Sequence, residues 1–179
     1  MAEFLWIFWS FSLLGWVLER LFAAVTRSPR RRRRCLLLLP LCPVYGLGMA
    51  AVLALPPSLR SGWPLYLWGG LTATSVEYIY HWWGETFLSV SFWDYTGVFG
   101  NLRGRVCLPF SLAWGLLLFP AVYLVTPPVV ALADRVPVGV TWWLLLAFTA
   151  DAVCSLRFLA VTHDLEALRA VIWPVSGDR

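Results

Sequence analysis

Five apolar stretches, each long enough to cross a lipid bilayer as a helix, constrain this sequence more than any other feature. A helix needs roughly 20 apolar residues to cross about 30 Å of hydrocarbon. The stretches run approximately over residues 4–25, 35–55, 65–88, 108–125 and 138–161. With 60% hydrophobic and 13% charged residues, the 179-residue chain holds more apolar surface than a soluble domain of this length could bury. We therefore predict an all-α, polytopic membrane helix bundle with five transmembrane helices rather than a soluble enzyme.

Arginine is distributed unevenly over the segments that join these stretches. Six arginines lie in the loop 27–34, whereas the opposite side of the predicted bundle holds only Arg60 and Arg135. Because arginine-rich loops stay in the cytoplasm, we predict an N-terminus outside and a cytoplasmic C-terminus. Residues 1–162 then form one membrane-embedded domain and residues 163–179 a short cytoplasmic tail. The net charge of +4 is accordingly a topology signal and does not indicate nucleic-acid binding.

Helix-breaking residues mark the ends of the second and fourth stretches and also interrupt the second. Pro56-Pro57 and Pro127-Pro128 are predicted to close the second and fourth helices, since proline cannot continue a helix. The connector 89–107 holds three glycines and two aromatic clusters, which favours a partly structured element that is either surface-lying or re-entrant. Two prolines and two glycines fall within residues 39–48. The second helix is therefore either broken beside a polar cavity or a kinked packing helix.

The cysteines give no sign of a metal or redox site. The chain has four of them, with no CxxC pair and no Cys/His pair at zinc spacing. At least three are expected toward the cytoplasmic side, where disulfides are rare. We predict no disulfide, no metal and no cofactor.

Several ionisable side chains lie inside the predicted spans, where each costs a few kcal/mol on insertion scales. Counted from the outer ends of their spans, Glu19, Glu77 and Asp151 share one layer roughly 18 to 22 Å deep. Glu77, His81 and Glu85 follow at i, i+4 spacing and line one helix face. Two interpretations stay open. The acids line a polar pocket or a proton or cation path, or they form ion pairs that lock the bundle with Arg20, Arg103, Arg105 or Arg157.

The order of several short motifs resembles a known family. In chain order these motifs are GWVLE (15–19), PLCPVYGLG (40–48), Glu77-Tyr78, Glu85, WDY (93–95), NLRGRVCL (101–108) and Trp114-Gly115. Over residues 4–130 the pattern resembles the bacterial membrane family called ABC-transporter type IV. The sequence departs from that pattern at Cys35 and Leu39, where the family usually has glycine.

The resemblance implies a permease-like, multi-pass protein of the bacterial cell membrane that moves a small solute or ion through a polar intramembrane site. The candidate pathway residues are Glu19, Tyr45, Glu77, Glu85, Asp94, Asn101, Arg103, Arg105 and Asp151. The sequence has no GxxxxGK[ST] phosphate loop, so an ABC system would need a separate ATPase subunit. The connector 89–107 is the internal cytoplasmic element large enough to receive that subunit. The lipid bilayer and a second copy of the chain are the other expected partners.

Two other functions compete with this one. A non-transporting structural or regulatory membrane subunit would use its buried charges as salt-bridge pairs. A membrane-embedded enzyme would use Glu77, Glu85 and Asp94 as acid and base groups. We expect no enzyme, because no nucleophile with a neighbouring base is visible.

Overall fold

The computed structural model describes residues 1–26 and 35–170, and these residues are mostly helical. The arginines of the 27–34 loop and the end of the tail, residues 171–179, lie outside the described residues. The helices are α1 (Ala2–Thr26), α2 (Pro43–Leu53), α3 (62–88), α4 (Leu108–Ala133), α5 (Val138–Thr162) and α6 (Leu165–Ala170). Within the described part of the chain we find no strand beyond one isolated β-bridge between Leu102 and Val106.

Among the described residues, three helices are long and apolar enough to cross a membrane. These are α1, α4 and α5, with 25, 26 and 25 residues. Helix α3 covers the third predicted span as a continuous run of four pieces, Gly62–Pro64, Leu65–Gly69, Gly70–Trp83 and Gly84–Leu88. The second and fourth pieces are π-helical, a widened geometry that is frequent at functional sites. The first, third and fifth predicted spans thus begin and end close to the observed helices.

The second apolar stretch is only half helical. Helix α2 has 11 residues, which amounts to about 16 Å, half of the hydrocarbon thickness. Residues 35–42 are non-helical because Pro40 and Pro43 disfavour the helical conformation of the residues before them. Pro43 itself suits the first turn of α2, where its missing N–H is not needed. The predicted break in the second stretch therefore lies before Pro43. The backbone there bonds to another helix instead, since the Cys42 N–H donates to the Ser12 carbonyl in the middle of α1 at 2.9 Å.

Two predictions about local structure were wrong. Cys35 and Cys42 form a disulfide with their Cα atoms 5.1 Å apart, because the bends of residues 36–40 bring the two side chains together. Pro127-Pro128 do not close the fourth helix, which continues to Ala133. A π-helical turn precedes them, and they stand in the first turn of the next α-helical piece, Thr126–Ala133, where proline is tolerated.

Contacts at the two ends of the bundle define the helix directions. At one end, the Trp6 indole donates to Thr141 at 3.1 Å, so α1 and α5 begin side by side. Tyr123 of α4 reaches the Arg60 carbonyl just before α3, at 3.3 Å. At the other end, His163 after α5 contacts the Leu88 carbonyl at the end of α3, at 2.7 Å. Helices α1, α3 and α5 therefore run in one direction and α4 in the other.

The connector 89–107 folds back along α3 instead of leaving the bundle. Phe92 packs against Gly84, and the Trp93 ring lies 4.7 Å from the His81 ring. The Tyr95 hydroxyl donates at 3.3 Å to Glu77, which lies about two helical turns before Gly84 on α3. The side chains of Phe92, Trp93 and Tyr95 are all buried. Two non-helical segments, 35–42 and 89–107, thus enter the same apolar core.

Candidate intramembrane site

A chain of polar and aromatic side chains crosses the centre of the bundle. Tyr45 of α2 donates its hydroxyl to the Glu19 carboxylate of α1. The Tyr45 ring meets the Trp114 ring of α4 edge to face, with centroids 5.1 Å apart. The Trp114 indole donates to Glu77 of α3 at 2.7 Å, and Tyr95 donates to the other oxygen of that carboxylate. Four helices and the connector thus converge on two buried carboxylates.

A glycine on α1 makes room for this arrangement. Gly15 lies one turn before Glu19, and a Cβ placed there would collide with the Tyr45 ring. Tyr45 lies in the first turn of α2. Its ring packs against Gly15, and its hydroxyl reaches the Glu19 carboxylate one turn later on α1. The motifs around Gly15 and Tyr45 therefore fit each other physically, the first supplying space and an acceptor, the second a ring and a donor.

Glu77 borders a cavity of about 320 Å³ between α1, α2, α3 and α4. Its walls are apolar apart from Glu77, Tyr45 and Trp114. A second cavity of about 200 Å³ lies on the other side of Tyr45 and Trp114 and reaches Glu19. The Tyr45–Trp114 pair therefore separates two spaces, each with one carboxylate in its wall. The volume of the larger cavity and its largely apolar walls with a few polar groups are typical of small-ligand sites.

A second polar cluster joins the connector to α3. Arg105 donates through Nε to Glu85 at 2.7 Å and through Nη1 to the Tyr78 hydroxyl at 2.8 Å. The hydrogen bond to Glu85 raises the pKa of Arg105, so this guanidinium stays charged. His81 contacts the other Glu85 oxygen at 3.1 Å. The predicted salt bridge between a connector arginine and Glu85 is confirmed, and it holds the connector against α3.

Three predicted pathway residues instead build the turn of the connector. Asp94 is exposed and accepts from the Thr96 N–H at 2.8 Å, and the side-chain and backbone hydrogen bonds from Thr96 lower the pKa of Asp94. Asn101 accepts from the Gly104 N–H at 3.2 Å, as a turn residue does. Arg103 is exposed and has a left-handed backbone with φ of 55°. These residues lie outside the polar chain through Glu19 and Glu77.

Asp151 has partners of its own, on the segment before α2 and on α5. Its carboxylate accepts from the backbone N–H groups of Leu38 and Leu39, at 3.1 and 3.0 Å, and from the Ser155 hydroxyl at 3.1 Å. Leu38 and Leu39 belong to the non-helical segment that leads into α2, whereas Ser155 lies one turn after Asp151 on α5. Asp151 therefore supplies the acceptor that a helix would otherwise provide for this backbone.

Comparison with known families decides which family this bundle represents. A family model described as "Putative ABC-transporter type IV" matches residues 6–156. The chain belongs to that family. The resemblance predicted over residues 4–130 is confirmed, and the match extends through most of α5. No curated protein and no solved structure matches the chain.

In this member of the ABC-transporter type IV family, the motifs meet in space although they are distant in sequence. GWVLE supplies Glu19, PLCPVYGLG supplies Tyr45, and WDY supplies Tyr95. The sequence analysis did not include Trp114 and Tyr95 among the candidate site residues. The available signal was that both are aromatic residues with a donor group and that both lie within the family motifs.

Proposed function

We propose that this ABC-transporter type IV family member is a permease-like membrane subunit that binds its cargo beside Glu77. The observation that carries the proposal is the cavity of about 320 Å³ bordered by Glu77, Tyr45 and Trp114. A buried carboxylate at membrane depth is expensive, and such groups usually face a pathway or a pocket. The half-helix α2 supports this reading, because discontinuous helices commonly form the sites of transporters. The cargo is a small solute or ion.

The proposal includes an arrangement in the bacterial cell membrane. The chain crosses five times, with α2 and residues 35–42 together forming the second crossing and α3 the third. The N-terminus lies outside and the C-terminus in the cytoplasm. A separate ATPase subunit docks on the cytoplasmic side at the connector 89–107, and a second copy of the chain completes the permease. The protein itself catalyses no reaction.

The alternative function is a structural or regulatory membrane subunit, and two observations favour it. Glu85 is engaged by Arg105, and Asp151 by the backbone of Leu38 and Leu39. Both acids thus have partners of the kind that lock a bundle. The two functions differ in one respect that can be measured, which is whether water reaches the cavity beside Glu77.

Thiol labelling of the cavity wall tests the proposal. Gly48 lines the cavity, and a Cβ at this position would have nothing within 4 Å, so Gly48→Cys should fold normally. The background is Cys154→Ser, because Cys154 is an exposed free cysteine. The matched control is Leu116→Cys on the exposed surface of α4, away from the cavity. Vesicles of each orientation are treated with a membrane-impermeant trimethylammonium methanethiosulfonate.

A cargo site reached by water should give labelling of Gly48→Cys from at least one side, with Leu116→Cys unlabelled in lipid. Blocking by Leu18→Trp, which fills the same cavity, should slow the labelling. Failure to label Gly48→Cys from either side, with the variant folded by melting temperature and no ligand bound in the cavity, would leave the structural function as the better account.

A further inference from the structure

The cavity beside Glu77 has an open side between α1 and α4. Helices α1 and α4 pack together near Thr126–Ala133 and diverge toward Pro120. Pro120 has no N–H, so α4 lacks one helical hydrogen bond there, and a π-helical turn follows. Leu14, Leu18 and Leu117 line the cavity, and they are 44, 39 and 43% exposed on the outside of the bundle. In a bilayer, such an opening between two apolar helices leads to hydrocarbon.

The cavity and its open side between α1 and α4 together form a groove, and the residues that line this groove differ in chemistry. Most of the lining residues are apolar, leucines and valines above all, whereas Glu77, Tyr45 and Trp114 supply its carboxylate and two aromatic rings with polar groups. A carboxylate beside aromatic rings favours an ammonium group, through charge and through cation–π attraction. The volume of about 320 Å³ corresponds to roughly ten heavy atoms at about 30 Å³ each, so it holds the head and the first carbons of a longer chain whose remainder lies in the bilayer.

We infer that the groove binds an amphipathic organic cation, with one hydrocarbon chain between α1 and α4 and the ammonium head beside Glu77 and Tyr45. The ligand enters sideways from the bilayer. This inference rests on the proposed function, because it specifies the cargo of the same cavity. An inorganic cation fits less well, since the apolar groove offers it no oxygen ligands other than those of Glu77 and Tyr45.

Four probes separate head, chain and charge: dodecyltrimethylammonium, choline, dodecanol and dodecyl sulfate. The purified full chain is placed in phosphatidylcholine nanodiscs, and the shift of its melting temperature is followed against free probe concentration, corrected with empty nanodiscs. Dodecyltrimethylammonium should raise the melting temperature at a concentration at least tenfold lower than each of the other three. A cation with a chain is then required, and neither part suffices alone.

Two variants on α1 locate the binding. Leu18→Trp should fill the groove and weaken dodecyltrimethylammonium binding at least tenfold. Its matched control, Leu13→Trp, lies on the same helix with similar exposure but outside the cavity, and it should bind like the parent chain. Where Leu18→Trp does not fold, Leu18→Phe replaces it, with a smaller loss expected. Glu77→Gln should remove the preference for the cation over dodecanol.

The outcomes distinguish this inference from the proposed function. Equal binding of choline would overturn lateral entry, and equal binding of dodecanol or dodecyl sulfate would overturn the preference for a cation. Binding that Leu13→Trp and Leu18→Trp affect equally would place the site elsewhere. In each of these cases, labelling of Gly48→Cys by the aqueous reagent would still support a cargo site. Absence of both binding and labelling would refute the two proposals together.

Discussion

Helix α2 carries two glycines with opposite environments, and replacing each with alanine tests the packing of α1 against α2. At Gly46, an added Cβ would lie 2.7 Å from Phe8 Cδ2 and would also collide with the Phe8 carbonyl oxygen and the Ser12 hydroxyl. At Gly48, it would meet nothing within 4 Å. Both substitutions gain about 0.8 to 1.0 kcal/mol of helix propensity. Gly46→Ala also suffers overpacking, which typically costs about 1 to 3 kcal/mol.

We expect Gly48→Ala to be at least as stable as the parent chain, and Gly46→Ala to be less stable than Gly48→Ala by about 1 to 3 kcal/mol. We expect a stability difference in the upper half of this range, because the Phe8 carbonyl belongs to the backbone of α1 and cannot rotate away from the added methyl group. Unfolding of both variants in mixed detergent micelles, titrated with dodecyl sulfate and followed by tryptophan fluorescence, measures the difference directly. Equal stability of the two variants would refute the close approach of α1 and α2 at Gly46.

Three further predictions concern the acids and the topology. Asp151→Ala should destabilise the bundle by about 1 to 3 kcal/mol in the same unfolding assay, because it leaves two backbone N–H groups of residues 38 and 39 without their acceptor. Asp94 has a lowered pKa in the folded protein, so the stability that it contributes is present above its unfolded pKa and is lost as the pH falls through the folded pKa. Thr96→Val should raise the folded pKa of Asp94, which carboxyl-detected NMR measures. An unchanged pKa would contradict the hydrogen bonds from Thr96 as the cause. Reporters fused after Val161 and near Arg60 should report cytoplasm and outside, respectively, and the reverse at either position would overturn the predicted orientation.

The sequence was sufficient to predict the long helices and the family, because both depend on local patterns. The apolar runs around α1, α4 and α5 exceed the length that a bilayer requires, so their helices follow from length and composition. The end of α2 before Pro56 followed from proline alone. The buried positions of Glu19 and Glu77 followed from the cost of exposing an acid to lipid.

The rest depended on contacts between distant residues. The common layer predicted for Glu19, Glu77 and Asp151 used depth alone, which says nothing about the direction in which a side chain points around the helix. Asp151 faces the backbone of residues 38 and 39, a direction that depth along the helix could not predict. The disulfide was missed because it requires the bends of residues 36–40, and spacing along the chain does not predict bends.

The dependence of residues 35–42 on α5 has a consequence for the order of assembly. Helices α1, α4 and α5 satisfy their own backbone hydrogen bonds and can enter the bilayer one at a time. The non-helical segment cannot, since its N–H groups bond to the Ser12 carbonyl and to the Asp151 carboxylate. During synthesis, Asp151 emerges more than a hundred residues after the segment it holds. Residues 35–42, among the first to be translated, are therefore among the last to reach their final structure.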